Sequence, residues 1–196
     1  MTYQFVNKSL ESGLYEPEGI YLSAPFAGKG LVLQRWAANP AYYARFKYNG
    51  IALHGHIGVD FGLPVETELL AVDQGRVMEI SNEPHGFEHY LKIEHRWGES
   101  FYAHVGGVSI ESGQMVARGE QIGYSADPII GGMSTTPHLH FAIRVFPYNR
   151  FDGWGGFADP LPFMDPTNLQ FSSELNDNAH FEPPPMVDEV QGMRRP

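Results

Sequence analysis

Pro137-His138-Leu139-His140-Phe141 sets two histidines one residue apart. On an extended strand the side chains alternate with a period of two, so both imidazoles share one face while Leu139 and Phe141 take the other. Ile143, Val145 and Phe146 continue the segment as an apolar run. A lone His-x-His pair is a common accident of composition. Two upstream segments give this one weight, His56-Ile57-Gly58-Val59-Asp60 and Tyr102-Ala103-His104, both strand-like and both with polar groups at even spacing.

Around these segments the chain is punctuated by turns rather than by helical periodicity. Its 22 glycines and 15 prolines in 196 residues suit many short strands better than a helical bundle. Residues 21–26 and 31–36 read as strands on either side of Gly28-Lys29-Gly30, and residues 41–46 as one or two helical turns. Further strands are expected at 76–80 and 100–105. Across 88–95, His89, Leu91, Ile93 and His95 fall on one face. The expected fold class is mainly β, an antiparallel sheet or barrel-like sandwich with short helical turns. One domain should span 20–170, behind a polar lead-in at 1–19. The stretch 171–196, acidic and carrying Pro183-Pro184-Pro185, reads as a tail without a core of its own.

Composition excludes several classes of function. Apolar residues make up 42% and charged residues 18%, as in a globular protein, and the formal net charge is −10. Nucleic acids and anionic membranes select for basic surfaces, so neither is an expected partner. With no cysteine there is no disulfide and no thiolate metal site, and any metal must be held by histidine and carboxylate. The first residues, Met1 to Lys8, lack a basic segment followed by a long apolar one, so neither a signal peptide nor a membrane span is read there. Oligomeric state has no signature in the sequence.

A catalytic zinc ion takes three protein ligands from His, Asp and Glu and leaves a fourth position for water. His56 and Asp60 are expected on one strand face, with Gly58 between them leaving it uncrowded, and His140 completes the set from a second strand. Two neutral imidazoles and one carboxylate leave a net positive ion, which draws the pKa of a bound water towards ~7. His54, two residues before His56, is a rival ligand. His138 and His104 then form an unligated pair. One can act as general base, and the other can stabilise an oxyanion or protonate a leaving amine. Tyr102 is a candidate hydrogen-bond donor to that oxyanion. His89 and His95 are read as structural.

These motifs, in this order, resemble the lysostaphin/LytM-type zinc metallo-endopeptidases. Gly62-Leu63-Pro64-Val65, Ala71-Val72-Asp73-Gln74-Gly75-Arg76-Val77 and Ser112-Gly113-Gln114-Met115-Val116-Ala117-Arg118-Gly119 are similar to that family's glycine-punctuated stretches, and the likeness covers about residues 20 to 145. The resemblance implies a duplicated hybrid motif fold with a groove over an antiparallel sheet. It also implies zinc-dependent hydrolysis of amide bonds in bacterial peptidoglycan peptides or cross-bridges, at the cell wall. Its zinc ligands would be His56, Asp60 and His140, and its catalytic histidines His104 and His138. Two other readings share the motifs: a non-hydrolytic regulatory or wall-binding homologue, and a phage or virion-associated lysin with the same chemistry. The chain departs from the pattern at Ala142, where an acidic residue often stands, in the loop at 125–136, and in an aromatic excursion at 146–163.

Overall fold

The computed structural model describes residues 19–83, 87–127 and 136–171. The lead-in before 19, the tail after 171 and the centre of the loop before His138 therefore lie outside the described residues. In chain order the strands are β1 (Gly30–Gln34), β2 (Lys47–Tyr48), β3 (Ile51–Ala52), β4 (Val59–Gly62), β5 (Glu68–Leu70), β6 (Gly75–Glu83), β7 (Glu88–His95), β8 (Gly98–Ala103), β9 (Val105–Val108), β10 (Met115–Val116), β11 (Gln121–Ser125), β12 (His138–Val145) and β13 (Leu169–Phe171). Among the described residues the one α-helix, α1 (Pro40–Tyr43), is a single turn.

Eight strands form one sheet in the order β10-β6-β7-β8-β12-β4-β1-β13. Neighbours run antiparallel except β1 and β13, which are parallel. A second sheet takes β5-β11-β9 and a small hairpin takes β2-β3. The expected mainly β, antiparallel architecture is thus present, and its sheets are open rather than closed into a barrel.

Strand β12 explains how the fold holds a polar site inside an apolar protein. It lies between β8 and β4 and is buried along nearly its whole length, so both of its faces are covered. Leu139, Phe141 and Ile143 enter the main core with Phe26, Phe61, Leu91, Ile93 and Tyr102. The opposite face carries His138, His140, Ala142 and Arg144. There Ala142 joins a second cluster containing Phe46, Tyr48, Phe87, Phe101 and Phe157. Burying each large apolar side chain contributes roughly 1.5–3 kcal/mol, so a polar row on one face of the central strand costs the sheet little.

Arg144 anchors that second layer. It is 1% exposed, and its guanidinium lies 3.8 Å over the Phe157 ring. It donates to the Gly155 carbonyl at 2.9 Å and the Tyr48 hydroxyl at 2.6 Å, and it pairs with Glu99. One cation thereby ties the 146–163 excursion and the β2–β3 hairpin to the sheet. Trp36 stacks on Trp154 at 4.7 Å, extending the same layer.

Residues 21–26 differ from expectation. They make isolated bridges, Leu22 to Met164 and Phe26 to Leu69, rather than a strand. Both side chains are fully buried, so this segment serves the core as a plug between the sheets. Asp165-Pro166-Thr167 forms a turn, with the Asp165 side chain accepting from the Thr167 amide at 2.9 Å. The chain then continues into β13. No helix among the described residues is long and apolar enough to cross a membrane.

Candidate metal centre and histidine pair

The register of the central strands brings the site together. His140 sits opposite Asp60 across β12 and β4, and opposite Ala103 across β12 and β8. His56 is not on a strand, contrary to the expectation. It lies in the bend before β4, where its backbone pairs with 37 and 38: its amide donates to the Ala38 carbonyl and its carbonyl accepts from Ala37, both at 2.9 Å. That bend, not strand alternation, turns His56 and Asp60 to the same point. Gly58 is also used differently from the reading above, since it packs against the His140 ring.

Three donor atoms converge. His140 Nδ1 is 2.9 Å from Asp60 Oδ1 and 3.0 Å from His56 Nε2, and His56 Nε2 is 3.3 Å from Asp60 Oδ1. All three residues are 5% exposed or less. His56 Nδ1 donates to the Arg35 carbonyl at 3.1 Å, which leaves a lone pair on Nε2 facing Asp60. His56 Nε2 and Asp60 Oδ1 are thus two buried acceptors in contact, and a single proton on His140 Nδ1 cannot serve both. A cation satisfies such a set. Tetrahedral zinc, with bonds of roughly 2.0–2.1 Å to nitrogen and oxygen, places its ligand atoms about as far apart as these. The residues therefore fit a zinc ion, and among the described residues they are the group of three or more that could hold a metal.

Protonation favours the same role. Burial is the largest influence on Asp60 and pushes its carboxyl up, but the adjoining His56 and His140 together hold it well below the usual carboxylate range. Burial lowers His140 to about 4, against the opposing pull of Asp60. Near neutrality Asp60 is therefore a carboxylate and His140 a neutral imidazole.

Beside it stands a second pair. The rings of His104 and His138 are 4.5 Å apart. His138 Nδ1 donates to the Thr136 carbonyl at 2.9 Å, and burial, helped by His104, lowers this imidazole to about 4. His104 comes from the residue after β8, in the left-handed conformation with φ 61°. Strand alternation would have turned it towards the core side occupied by Tyr102. The left-handed step ends the alternation and brings the ring against His138. Its Nδ1 donates to Glu88 Oε2 at 3.1 Å.

The structure thus assembles His56, Asp60, His140, His138 and His104. It does not assemble Tyr102, which is fully buried, with its hydroxyl accepting from the Val72 amide at 3.0 Å and donating to the Leu70 carbonyl at 3.2 Å. His54 is also removed from the site, its ring edge-on to Trp154 at 5.4 Å. His95 is structural as expected, stacked on Trp97 at 4.6 Å. Sequence reading missed Glu88 and the Arg35 and Thr136 carbonyls. No local spacing links these to the histidines they hold, though a carboxylate at the head of an alternating strand was a weak signal for Glu88. Beyond Glu88 opens a cleft of about 800 Å³, lined by Val65, Glu66, Val105, Tyr124 and Asp127 among others.

The chain is similar to proteins of one known family. The profile of Peptidase family M23 matches residues 54–152, about half of the chain. The chain is 29% identical over 131 residues, 66% of its length, to the glycyl-glycine endopeptidase ALE-1 of Staphylococcus capitis, of which the match spans 34%. It is 33% identical over 93 residues, 46% of its length, to the peptidoglycan DD-endopeptidase ShyA of Vibrio cholerae, of which the match spans 20%. The chain therefore spans no more than about a third of the length of these relatives. Among solved structures, the catalytic domain of the prophage-encoded M23 protein EnpA from Enterococcus faecalis has a TM-score of 0.53 at 19% identity, covering 71% of this chain and 95% of that one, a likeness of fold.

Proposed function

The chain belongs to peptidase family M23, and we propose that it is a zinc-dependent endopeptidase that hydrolyses amide bonds in peptidoglycan peptides or cross-bridges. The observation that carries the reading is the buried triangle of His56, Asp60 and His140 beside an unligated histidine pair. Both relatives named above are endopeptidases by name, one for glycyl-glycine and one for a peptidoglycan DD bond. Those are different bonds, so the peptide class is proposed and the bond is left to experiment. The catalytic unit is assigned to residues 20–170.

His56 and His140 would hold the metal through nitrogen and Asp60 through Oδ1. Bound there, zinc supplies a Lewis acid that acidifies water and polarises the scissile carbonyl. The chain's own residues handle the protons. In hydrolysis a water oxygen adds to the carbonyl carbon, the C–N bond breaks, and the leaving nitrogen gains a proton. His138 and His104 each keep Nδ1 engaged with an oxygen outside the site, which assigns the second ring nitrogen, Nε2, to accept a proton from water or pass one to the amine. Phe87 and Phe101, 5.5 Å and 6.2 Å from the His140 ring, keep water from its rear.

The test is metal analysis run alongside digestion of purified peptidoglycan with and without chelator. The expected result is about one zinc per chain and chelator-sensitive release of new amino groups, with the bond identified by product mass. Zinc without cleavage would instead indicate a non-hydrolytic homologue, and a folded protein without zinc would overturn the metal site.

A further inference from the structure

We propose that Glu88 is the positioning residue of His104, fixing the ring in one tautomer and one orientation at the edge of the site. This rests on the reading of His104 as a proton-handling residue. Three of the assembled histidines have Nδ1 bound to an oxygen outside the site. For His56 and His138 that oxygen is a backbone carbonyl, of Arg35 and Thr136. For His104 it is the Glu88 carboxylate at 3.1 Å. Glu88 thus does with a side chain what the main chain does for the other two. The pair is sheltered, with side chains 16% and 13% exposed, so it is not a loosely solvated surface contact.

The backbone is built around this contact. Glu88 and His104 both adopt left-handed conformations, φ 55° and 61°, which residues other than glycine seldom take. The two are coupled through the main chain, since the His104 amide donates to the Phe87 carbonyl at 3.2 Å. On the other side the His104 carbonyl accepts from the Ala126 amide at 3.2 Å. Leaving the strand frees His104 from the packing that orients side chains within a sheet. A carboxylate on Nδ1 restores a fixed orientation and puts the lone pair on Nε2 of a ring 4.5 Å from that of His138. Strain of this kind in two paired residues at a site edge is what preorganisation requires.

The experiment uses the full zinc-loaded chain with Glu88→Ala, Glu88→Gln and His104→Ala. It follows zinc content, kcat and KM on a soluble peptidoglycan peptide, and the ¹⁵N imidazole shifts of His104. Glu88→Ala should keep its zinc and its KM and lose kcat by roughly 10–100-fold, as when partners of a metal site's side chains are removed. The His104 signals should pass from a single Nδ1–H tautomer to a mixture. Glu88→Gln, which keeps size and can still present an oxygen, should retain more kcat than Glu88→Ala. Wild-type kcat in Glu88→Ala, or an unmoved His104 tautomer, would overturn the proposal while an inactive His104→Ala left His104 in its role. A fully active His104→Ala would remove His104 from the mechanism, and the positioning role with it.

Discussion

Gly58 lies so close to the His140 ring that a β-carbon at position 58 would stand 2.7 Å from its Cε1 and 2.8 Å from its Nε2. The same carbon would sit 2.7 Å from the Phe141 carbonyl, so the neighbour cannot simply step aside. His140 is thus held by the absence of a side chain on one side and by Asp60 on the other. Its Nε2 is buried without a hydrogen-bond partner, which leaves contact with Gly58 to fix the ring. Gly58→Ala should therefore weaken zinc binding by at least about 10-fold, the scale of lost support around a metal ligand. A competition titration against a zinc chelator measures it, and wild-type affinity would disprove the packing role.

Removing ligands and removing proton carriers should have separable effects. His140→Ala is expected to lose both bound zinc and hydrolysis. His104→Ala should retain zinc and lose roughly 10²–10⁴ in rate, the usual share of a general acid–base group. Parallel metal analysis and amino-group release distinguish the two.

Arg144 should matter for stability without touching the metal. Arg144→Ala strands Glu99, the Tyr48 hydroxyl and the Gly155 carbonyl and opens space beneath Phe157. Breaking a buried, bonded charge in this way costs about 3–5 kcal/mol. Denaturant unfolding should show that loss, while zinc stoichiometry in the folded protein stays as in wild type.

Acid should destabilise the fold partly through His95. Burial pushes this imidazole below its ordinary 6.5, against the Gln74 carbonyl and the Asp73 charge, which pull it up. In the neutral ring Nδ1 donates to Gln74 at 2.8 Å and Nε2 accepts from the Ser100 hydroxyl at 2.7 Å. The unfolded chain therefore takes up a proton before the folded one does. The stability His95 confers is complete above about pH 6.5 and is lost as pH falls through the lowered value. Unfolding free energies measured from pH 8 downward should fall less steeply for His95→Gln than for wild type.

Much of this was legible in the residues because alternation is a strict rule inside a strand. His138 and His140 share a face as their spacing demands, with Leu139 and Phe141 opposite in the core. The reading failed where the chain leaves the strand. Spacing alone predicts His56 on a strand that it only precedes, and a bend brings it to the same place. Alternation groups Tyr102 with His104, and the left-handed residue at 104 cancels it. Contacts between distant segments, such as Arg144 with Tyr48 and Glu88 with His104, leave no periodic trace at all.

The anchoring of Nδ1 in three histidines has a consequence for which metal arrives. With those protons committed to Arg35, Thr136 and Glu88, the pocket offers several lone pairs and few protons to any visitor. Such a nitrogen and oxygen set binds copper and nickel at least as avidly as zinc, since divalent affinity follows the metal more than the protein. Selectivity then rests on supply and on the shape of the triangle together, and its donor spacing suits the tetrahedral zinc ion.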